Sequence, residues 1–337
     1  MKFCVFGLGA IGGFMAARLA LAGHPVSALA RGATLAAVRE HGLRWRSAAG
    51  EQTVRIAVSD SPASLAGADV VVLAVKTTAL PVVARTIAPM LGPDTVVLSA
   101  MNGVPWWFFH GLGERWRDTR LTATDPDGAL GRAIPAERVL GCVVHMAASC
   151  PQPGVVHQAF GERFILGEPG GAATPRLAAV AAAMSGAGLQ VETDERIEQA
   201  VWLKLWGNMT MNPLTAVTGA TMDRVLDDPL LMRFVTAAMT EAARIGECFG
   251  LPVAMTPAER NQITRKLGAV KTSMLQDVEA GRPIELDALV GAVAEMAVLA
   301  GVAAPSIDAL LGLTRVFARG RGLYPALPAA DAAPAAP

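Results

Sequence analysis

The sequence predicts an α/β protein, with an N-terminal Rossmann-type doubly wound sheet and a C-terminal all-α helical domain. Three observations predict this fold class. A glycine-rich turn lies between a short apolar run and an Ala-rich apolar stretch near the N-terminus. Apolar runs of strand length then alternate with helical segments as far as residue 192. Beyond residue 193, the apolar positions recur with a helical period.

The first thirty residues predict one βαβ unit with two parallel strands. Residues 3–6 form a strand, 11–22 a helix and 26–30 a second strand, and the segment from Gly23 to Pro25 ends the helix. Further strands are predicted at 54–58, 69–75 and 95–99, with a helix at 80–90. A long excursion over 104–140, which contains the aromatic run from Trp106 to Phe109, interrupts this alternation. The sheet then continues with strands at 143–148, 154–159, 163–166 and 189–192 and a helix at 175–187.

The length of 337 residues agrees with two domains at about 150 residues each. We predict a Rossmann-like domain over 1–192, a helical domain over 193–323 and a disordered tail rich in Ala and Pro over 324–337. Pro257 and Gly250 are typical of a helix start and a helix end. The predicted helices of the second domain are 194–217, 230–249, 257–281, 285–299 and 306–319.

Composition excludes several classes of protein. The 29 basic residues balance the 29 acidic ones, so the chain lacks the positive field that favours nucleic acid or anionic membranes. The longest uncharged stretch, 139–161, contains Pro151 and Pro153 and is a poor membrane span. The four cysteines show no disulfide or zinc spacing, and the five histidines show no metal-ligand spacing. We therefore expect a cytoplasmic protein without a metal.

The glycine-rich turn predicts a dinucleotide site. Gly7, Gly9 and Gly12 form G-x-G-x-x-G between a strand and a helix, where glycine permits a tight turn and close approach of a pyrophosphate. A turn without a ligand, or a flavin site, is the alternative. The second strand ends at Arg31 with no carboxylate, which favours NADP(H) over NAD because an arginine pairs with a 2′-phosphate. A merely solvated arginine would leave that choice open.

Polar residues follow two more predicted strands. Lys76 ends the strand at 69–75, and Asn102 follows the strand at 95–99. Ligands of doubly wound folds bind at the carboxyl ends of the strands, so we expect both residues at the cofactor site. A lysine that leaves a strand can also be simply solvated.

One predicted helix carries a polar stripe. Lys204, Asn208 and Asn212 are spaced by four residues and share one side of a very apolar helix. Buried amines and amides need polar partners, and a substrate or an interdomain hydrogen-bond network would supply them. A second polar set follows at 271–287, where Ser273 and Asp277 share a helical face and Glu285 begins the next predicted helix, either aimed at the cofactor or solvated.

These motifs together resemble the ketopantoate reductase family over nearly the full chain. The matching segments are GLGAIG at 7–12, Ala-Arg at 30–31, Val-Lys at 75–76, Asn-Gly at 102–103, KLWGNMTMNPLTA at 204–216 and SMLQD with PIELD between 273 and 287.

The resemblance implies reduction of 2-dehydropantoate to (R)-pantoate with hydride from NADPH. Lys204 would then donate the proton to the ketone oxygen, and Asn208, Asn212 and Ser273 would bind the substrate's carboxylate and hydroxyl. Asn102 would contact both substrate and nicotinamide. The implied cofactor-binding residues are Gly7, Leu8, Gly9, Ala10, Ile11, Gly12, Arg31, Lys76, Asn102, Ala147 and Glu285.

Two departures from the family pattern concern the substrate. The excursion over 104–140 is longer than in compact members, and Met222 stands where some members place a substrate-binding asparagine. Another 2-oxo acid is therefore an alternative substrate. Two alternative functions are a β-hydroxyacid dehydrogenase of similar architecture and a non-catalytic NADPH-sensing protein. The small-molecule substrate is the expected partner, and the apolar helical domain could form a homodimer.

Overall fold

The computed structural model describes residues 1–326 and has the predicted class, a mixed but mainly parallel sheet followed by a helical region. The chain divides into two compact units, residues 1–204 and 205–337. This division falls inside a helix, whereas we predict the domain boundary at 192/193. Residues 327–337, which hold most of the predicted disordered tail, lie outside the described residues.

The first unit contains all the strands that the described residues form. They are β1 (Phe3–Phe6), β2 (Val26–Leu29), β3 (Leu43–Ser47), β4 (Gly50–Val54), β5 (Ala57–Ser59), β6 (Val70–Leu73), β7 (Val96–Ser99), β8 (Val139–Gln152), β9 (Val155–Gly167) and β10 (Gln190–Thr193). Its helices are α1 (Ala10–Leu21), α2 (Gly32–His41), α3 (Leu80–Thr86), α4 (Ala129–Ala133), α5 (Pro175–Gly186) and the first part of α6 (Ile197–Thr218), as far as Lys204. Short 3₁₀ segments occur at Pro62–Leu65, Thr77–Ala79, Ala88–Met90, Phe108–Gly111 and Ala136–Arg138.

Helices are the only regular secondary structure among the described residues of the second unit. After the end of α6, its helices are α7 (Met222–Asp227), α8 (Pro229–Cys248), α9 (Pro257–Arg265), α10 (Ser273–Glu279), α11 (Ala292–Ala300) and α12 (Pro305–Arg319). A π-helical stretch, Asp287–Gly291, leads into α11.

The strands form one sheet in the order β4-β3-β9-β8-β7-β6-β1-β2-β5, and β10 pairs with the far end of β9. Strand β1 pairs in parallel with β2 on one side and with β6 on the other. The chain thus leaves β1 in one direction and later returns on its other side, which makes the carboxyl end of β1 the switch point where doubly wound sheets bind ligands.

Side chains of β1 alternate between two cores. Phe3 and Val5 join the core that contains α1 and α5, while Cys4 and Phe6 join the core that contains α3. This alternation is what a strand buried on both faces requires. The position of the glycine turn after Phe6 is therefore fixed by packing on both faces of the sheet.

The aromatic run after Asn102 packs into the protein. Trp107, Phe108 and Phe109 are buried, and Trp106 Nε1 donates a hydrogen bond of 2.9 Å to the Ile134 carbonyl. The Trp107 ring lies so close to Gly141 that a Cβ there would be 2.7 Å from it. The excursion over 104–140 is thus anchored in the core of the first unit.

Several predicted elements differ from the observed ones. The predicted strands at 143–148, 154–159 and 163–166 are two long antiparallel strands, β8 and β9. Their pairing shifts register beside Ala147, and Gly161 has a φ of +77°, so the two-residue alternation is broken and the segments look like separate short strands. The predicted strand at 54–58 is divided between β4 and β5.

The predicted helix at 257–281 is wrong as a single element. The chain forms α9 and α10 separately, and Gly268, with a φ of +72°, lies in the segment between them. The sequence also gave no prediction for α2, β3 or α7. Helix α2 buries only Leu35 and Val38, so its apolar periodicity is weak.

The described residues extend into the predicted tail. Tyr324, placed in that tail by the sequence, donates a hydrogen bond of 2.5 Å to Asp287 Oδ1 and lies against the guanidinium of Arg319. The ordered chain therefore continues past residue 323. Between residues 1 and 326, none of the helices has both the length and the apolar character needed to cross a bilayer.

Candidate active site

The loop after β1 is shaped by its glycines. Gly7 has a φ of +102°, a conformation that residues with a side chain rarely adopt. A Cβ on Gly12 would lie 2.1 Å from the Gly7 carbonyl oxygen and 2.9 Å from Val5 Cγ1. Only glycine at both positions lets α1 begin this close to the sheet.

Gly9, by contrast, faces open space. A Cβ built on Gly9 has no heavy atom within 4 Å. Gly9 is also the N-cap of α1, with no side-chain cap hydrogen bond, and the first turn of α1 contains no acidic residue. The amide N–H groups of a helix N-terminus attract anions, so this loop fits the pyrophosphate of a dinucleotide.

Three more predicted cofactor residues lie at the same edge of the sheet. Strands β2, β1, β6 and β7 are parallel neighbours. Arg31 is exposed two residues after β2, Lys76 follows β6 by three residues and Asn102 follows β7 by three. The topology therefore places these residues with the glycine loop along one edge.

Lys204 is fixed by two hydrogen bonds within the first unit. Its Nζ donates to Asn102 Oδ1 at 2.7 Å and to the Val144 carbonyl oxygen at 2.7 Å. Helix α6 carries the lysine, the segment after β7 carries the asparagine, and β8 carries the carbonyl. The structure thus brings together Lys204 and Asn102, which are 102 residues apart.

The Val144 carbonyl was not among the predicted site residues. A backbone acceptor leaves no residue-type signal in the sequence, because every residue has a carbonyl. Its place follows from β8, which continues beyond its parallel pairing with β7 at Val139–Gly141 and so reaches the same edge of the sheet.

A buried thiol lies beneath this cluster. Burial raises the pKa of Cys142 to about 12, and the nearby positive charge of Lys204 acts in the opposite direction. The desolvation of the thiolate outweighs the attraction of the ammonium, so Cys142 stays a neutral thiol at physiological pH. Lys204 therefore has an uncharged neighbour on this side.

In the second unit, a hydrogen bond ties α6 to α10. The hydroxyl oxygens of Thr215 and Thr272 are 2.6 Å apart. Asn212 lies three residues before Thr215, and Ser273 directly follows Thr272. The substrate-binding positions predicted on these two helices thus flank one buried contact.

Two known families match most of the chain. Residues 3–114 match the family described as ketopantoate reductase PanE/ApbA, and residues 196–318 match its C-terminal family. The 2-dehydropantoate 2-reductase of Mesorhizobium japonicum is 42% identical over 325 residues, which cover 96% of this chain and 100% of that protein. The chain belongs to the ketopantoate reductase family. It is an oxidoreductase of that family, as the resemblance of its motifs predicts.

Two other proteins support this membership. The 2-dehydropantoate 2-reductase of Halobacterium salinarum is 31% identical and aligns over 95% of this chain and 99% of its own length. A crystallised protein from Ralstonia solanacearum MolK2, assigned to the ketopantoate reductases, superposes with a TM-score of 0.93 at 50% identity. That alignment covers 96% of this chain and 99% of the other.

The predicted substrate-binding residues of this ketopantoate reductase family member differ in their exposure to solvent. Asn212 is buried, at 5% relative exposure, Asn208 is partly buried, and Ser273 is exposed at the first position of α10. Within residues 1–326, no hydrogen bond to another residue engages the side-chain amide of Asn208 or Asn212. An amide can both donate and accept hydrogen bonds, so both side chains can bind a polar ligand.

The remaining predicted positions are less constrained by geometry. Ala147 lies in β8 beside the register shifts, opposite Phe160. Glu285 is partly buried and precedes the first helical residue, Leu286, instead of beginning the helix itself. Their contacts with a cofactor stay predictions. Among the described residues, no group of three or more His, Cys, Asp or Glu side chains could hold a metal ion.

Proposed function

We propose that this protein reduces 2-dehydropantoate to (R)-pantoate, a reaction of pantothenate biosynthesis, with NADPH as the reductant and Lys204 as the proton donor. The observation that carries the proposal is the pair of 2.7 Å hydrogen bonds from Lys204 Nζ to Asn102 Oδ1 and the Val144 carbonyl. The names of the relatives, which are 2-dehydropantoate 2-reductases at 42% and 31% identity, support the substrate.

The lysine geometry suits proton donation. Negative charge builds on the ketone oxygen as its carbon is reduced, and an ammonium held beside that oxygen stabilises the charge. When the ammonium gives up one proton, the amine keeps two N–H bonds, which match the two acceptors at Asn102 and Val144. Lys204 would therefore stay in position through the reaction.

The substrate's other groups would bind along α6. Asn208 and Asn212 extend the stripe that begins at Lys204, and amides can donate to a carboxylate or accept from a hydroxyl. Ser273, at the start of α10, would supply a further hydroxyl. Asn102 would contact both the substrate and the nicotinamide.

The cofactor would be held at the sheet edge. NADPH, when bound, supplies the hydride. The amides of the loop from Gly7 to Gly12 and the N-terminus of α1 would hold its pyrophosphate, and Arg31 would pair with its 2′-phosphate. Lys76, Ala147 and Glu285 would complete the contacts.

Replacement of Lys204 tests the proton donor. We expect Lys204→Ala to lower kcat for 2-dehydropantoate with NADPH by about 10²- to 10⁴-fold, the usual contribution of a general acid. The matched control is Lys266→Ala, because Lys266 is exposed at the end of α9. Equal turnover by wild type and Lys204→Ala would remove Lys204 from the reaction.

Charge reversal at Arg31 tests the choice of nicotinamide. We expect Arg31→Asp to lower the affinity for NADPH by about tenfold or more while NADH affinity holds or rises, because the carboxylate repels a 2′-phosphate and accepts from a 2′-hydroxyl. Fluorescence titration with both cofactors measures the ratio. An unchanged ratio would show that Arg31 does not contact the phosphate.

A second candidate substrate is a different 2-oxo acid. Met222, at 8% relative exposure, places a buried apolar side chain where some family members have an asparagine. A substrate without the hydroxyl group of 2-dehydropantoate would suit that surface better. A panel of 2-oxo acids, assayed by the decrease in NADPH absorbance and ranked by kcat/KM, decides between the two substrates.

A further inference from the structure

An arginine of α9 lies directly over a glycine of α6. A Cβ built on Gly207 would be 2.6 Å from Arg260 Nη2, 2.9 Å from Cζ and 3.1 Å from Nε. The guanidinium therefore occupies the space that any larger residue at position 207 would fill. The absence of a side chain at Gly207 lets the charge of Arg260 approach the α6 backbone.

The hydrogen-bond partner of this guanidinium is a neutral side chain. Arg260 Nη1 donates a hydrogen bond of 2.8 Å to Thr264 Oγ1, one turn further along α9. No ion pair involving Arg260 forms within residues 1–326, whereas Arg265, on the same helix, pairs with Asp227. Thr264 is neutral and buried, so it fixes the orientation of the guanidinium without balancing its charge.

Burial makes the missing counter-charge significant. Desolvation lowers the pKa of Arg260, which is the expected response of a partly buried cation that forms no ion pair. An arginine keeps its charge in proteins, and its planar fork matches a carboxylate with two parallel hydrogen bonds. A bound anion would supply the charge that the protein partners of Arg260 lack.

The position of Arg260 connects it with the predicted substrate residues of the same unit. Gly207 is followed directly by Asn208, whose amide has no protein partner within the described residues. A carboxylate spans both nitrogens of a guanidinium and can accept a third hydrogen bond from a neighbouring amide. Arg260, which lies over Gly207, and Asn208, the next residue of α6, are thus two hydrogen-bond donors at neighbouring positions of one helix.

We propose that Arg260 binds the carboxylate of the 2-oxo acid substrate and determines the preference for acids over neutral ketones. The inference rests on the proposed function, and it adds a charged group to the amides and hydroxyl already assigned to the substrate. Gly207 is its structural counterpart, because it leaves the space in which the guanidinium lies.

The test compares an acid with its neutral derivative. Wild type, Arg260→Met and the matched control Arg265→Met are assayed with 2-dehydropantoate and with its methyl ester, at saturating NADPH. We expect Arg260→Met to raise KM for the acid by about 10- to 100-fold, the usual value of a hydrogen-bonded charge pair. KM for the ester should change little, and Arg265→Met should behave as wild type with both.

Further readouts separate this role from a structural one. The Kd for NADPH should be the same in Arg260→Met and wild type, and Arg260→Lys, which keeps the charge but not the fork, should recover part of the acid preference. If Arg260→Met does not fold, the Arg260→Lys comparison with wild type carries the test. An equal change for acid and ester, or an unchanged KM for the acid, overturns the proposal.

Failure of the proposed function has its own signature. If wild type reduces neither 2-dehydropantoate nor its ester, the reaction is wrong, and Arg260 is tested by calorimetric titration with oxamate, a small analogue of 2-oxo acids, in the presence of NADP⁺. Oxamate binding that is lost in Arg260→Met and kept in Arg265→Met supports the anion site. Equal oxamate binding in all three proteins, or none in wild type, overturns it.

Discussion

Two glycines of one loop, Gly9 and Gly12, meet opposite surroundings. A Cβ on Gly12 would be 2.1 Å from the Gly7 carbonyl, whereas a Cβ on Gly9 would have no neighbour within 4 Å. Gly12 is therefore required for the packing of α1 on the sheet. Gly9 is not required for packing, so its lack of a side chain points to the ligand.

Alanine substitutions separate these two roles. We expect Gly12→Ala to lower Tm by about 3–10 °C, because overpacking a close backbone contact costs about 1–3 kcal/mol. Gly9→Ala should keep Tm within about 2 °C of wild type but weaken NADPH binding by about tenfold, because the methyl group occupies the space in front of α1. Thermal melts and cofactor titrations measure the two effects. A stable Gly12→Ala or a tightly binding Gly9→Ala would contradict these roles.

Single residues also show how much of the candidate site can be predicted from the sequence. The stripe of Lys204, Asn208 and Asn212 follows from spacing alone, because a helix has a fixed period. The two acceptors of Lys204 could not be predicted with equal ease, because one is a carbonyl and the other is 102 residues away. The absence of an ion pair for Arg260 within residues 1–326 could not be predicted for the same reason, because it depends on which groups are nearby in three dimensions.

At the scale of the element, helix α6 begins with a buried acid. Glu198, at 4% relative exposure, accepts a hydrogen bond of 3.1 Å from the Gly170 amide, and its carboxyl group fills the space beside Gly111. Burial raises its pKa above the ordinary value of 4.5. The folded protein therefore binds this proton more tightly than the unfolded chain does.

The sign of that shift predicts how stability depends on pH. An acid whose pKa is raised by folding adds stability at pH values below its unfolded pKa, and this stability is lost as the pH rises through the folded pKa. Relative to Glu198→Gln, which keeps the acceptor for Gly170 without the charge, we expect wild type to lose stability between about pH 4.5 and neutrality. Thermal melts of both proteins at pH 4.5, 5.5 and 7 measure this, and parallel Tm profiles would count against it.

Strands that are buried along their whole length could be predicted from the sequence, whereas strands whose burial changes along their length were not predicted correctly. Strands β1, β6 and β7 are wholly buried, so each produces an uninterrupted apolar run in the sequence. The hairpin of β8 and β9 is buried at Val139–Val144, partly buried or exposed over most of its middle, and buried again at Val155 and Val156, and its bulges change which face each residue takes. Its periodicity is therefore mixed, and the sequence divided it into pieces.

At the scale of the whole molecule, the chain passes from one compact unit to the other within a helix and not in a linker. The division falls between Lys204 and Leu205, inside α6. Exposed loops, and not helices, are the sites at which folded proteins are first cut by proteases. The best loop for trypsin in the second unit is the segment between α9 and α10, where Lys266 and Lys271 are exposed.

Limited trypsin digestion tests this arrangement. We expect cuts at Lys266 or Lys271 before any cut at Lys204 under the same conditions, because cleavage at Lys204 requires α6 to unfold locally. Mass spectrometry of the early fragments identifies the site. An early fragment that ends at Lys204 would show that α6 opens between the two units.

Fold class and family were thus accessible from the sequence, because a βαβ start, alternating strands and a helical second half are properties of pattern. The extent of each compact unit was not accessible from the sequence, because it depends on long-range contacts that no local pattern records. Two segments whose structure was not predicted are 32–47 and 266–272. The buried apolar side chains of the first are Leu35, Val38, Leu43 and Trp45, and the second has none.

The stripe on α6 also restricts how the gene can change. Each residue added to a helix turns everything after it by about 100° and moves it by about 1.5 Å. An insertion or deletion of one codon between Lys204 and Asn208 would leave the lysine in place and turn both asparagines to another side of the helix. The number of residues in this stretch is therefore as important for the site as the identity of the polar residues that it separates.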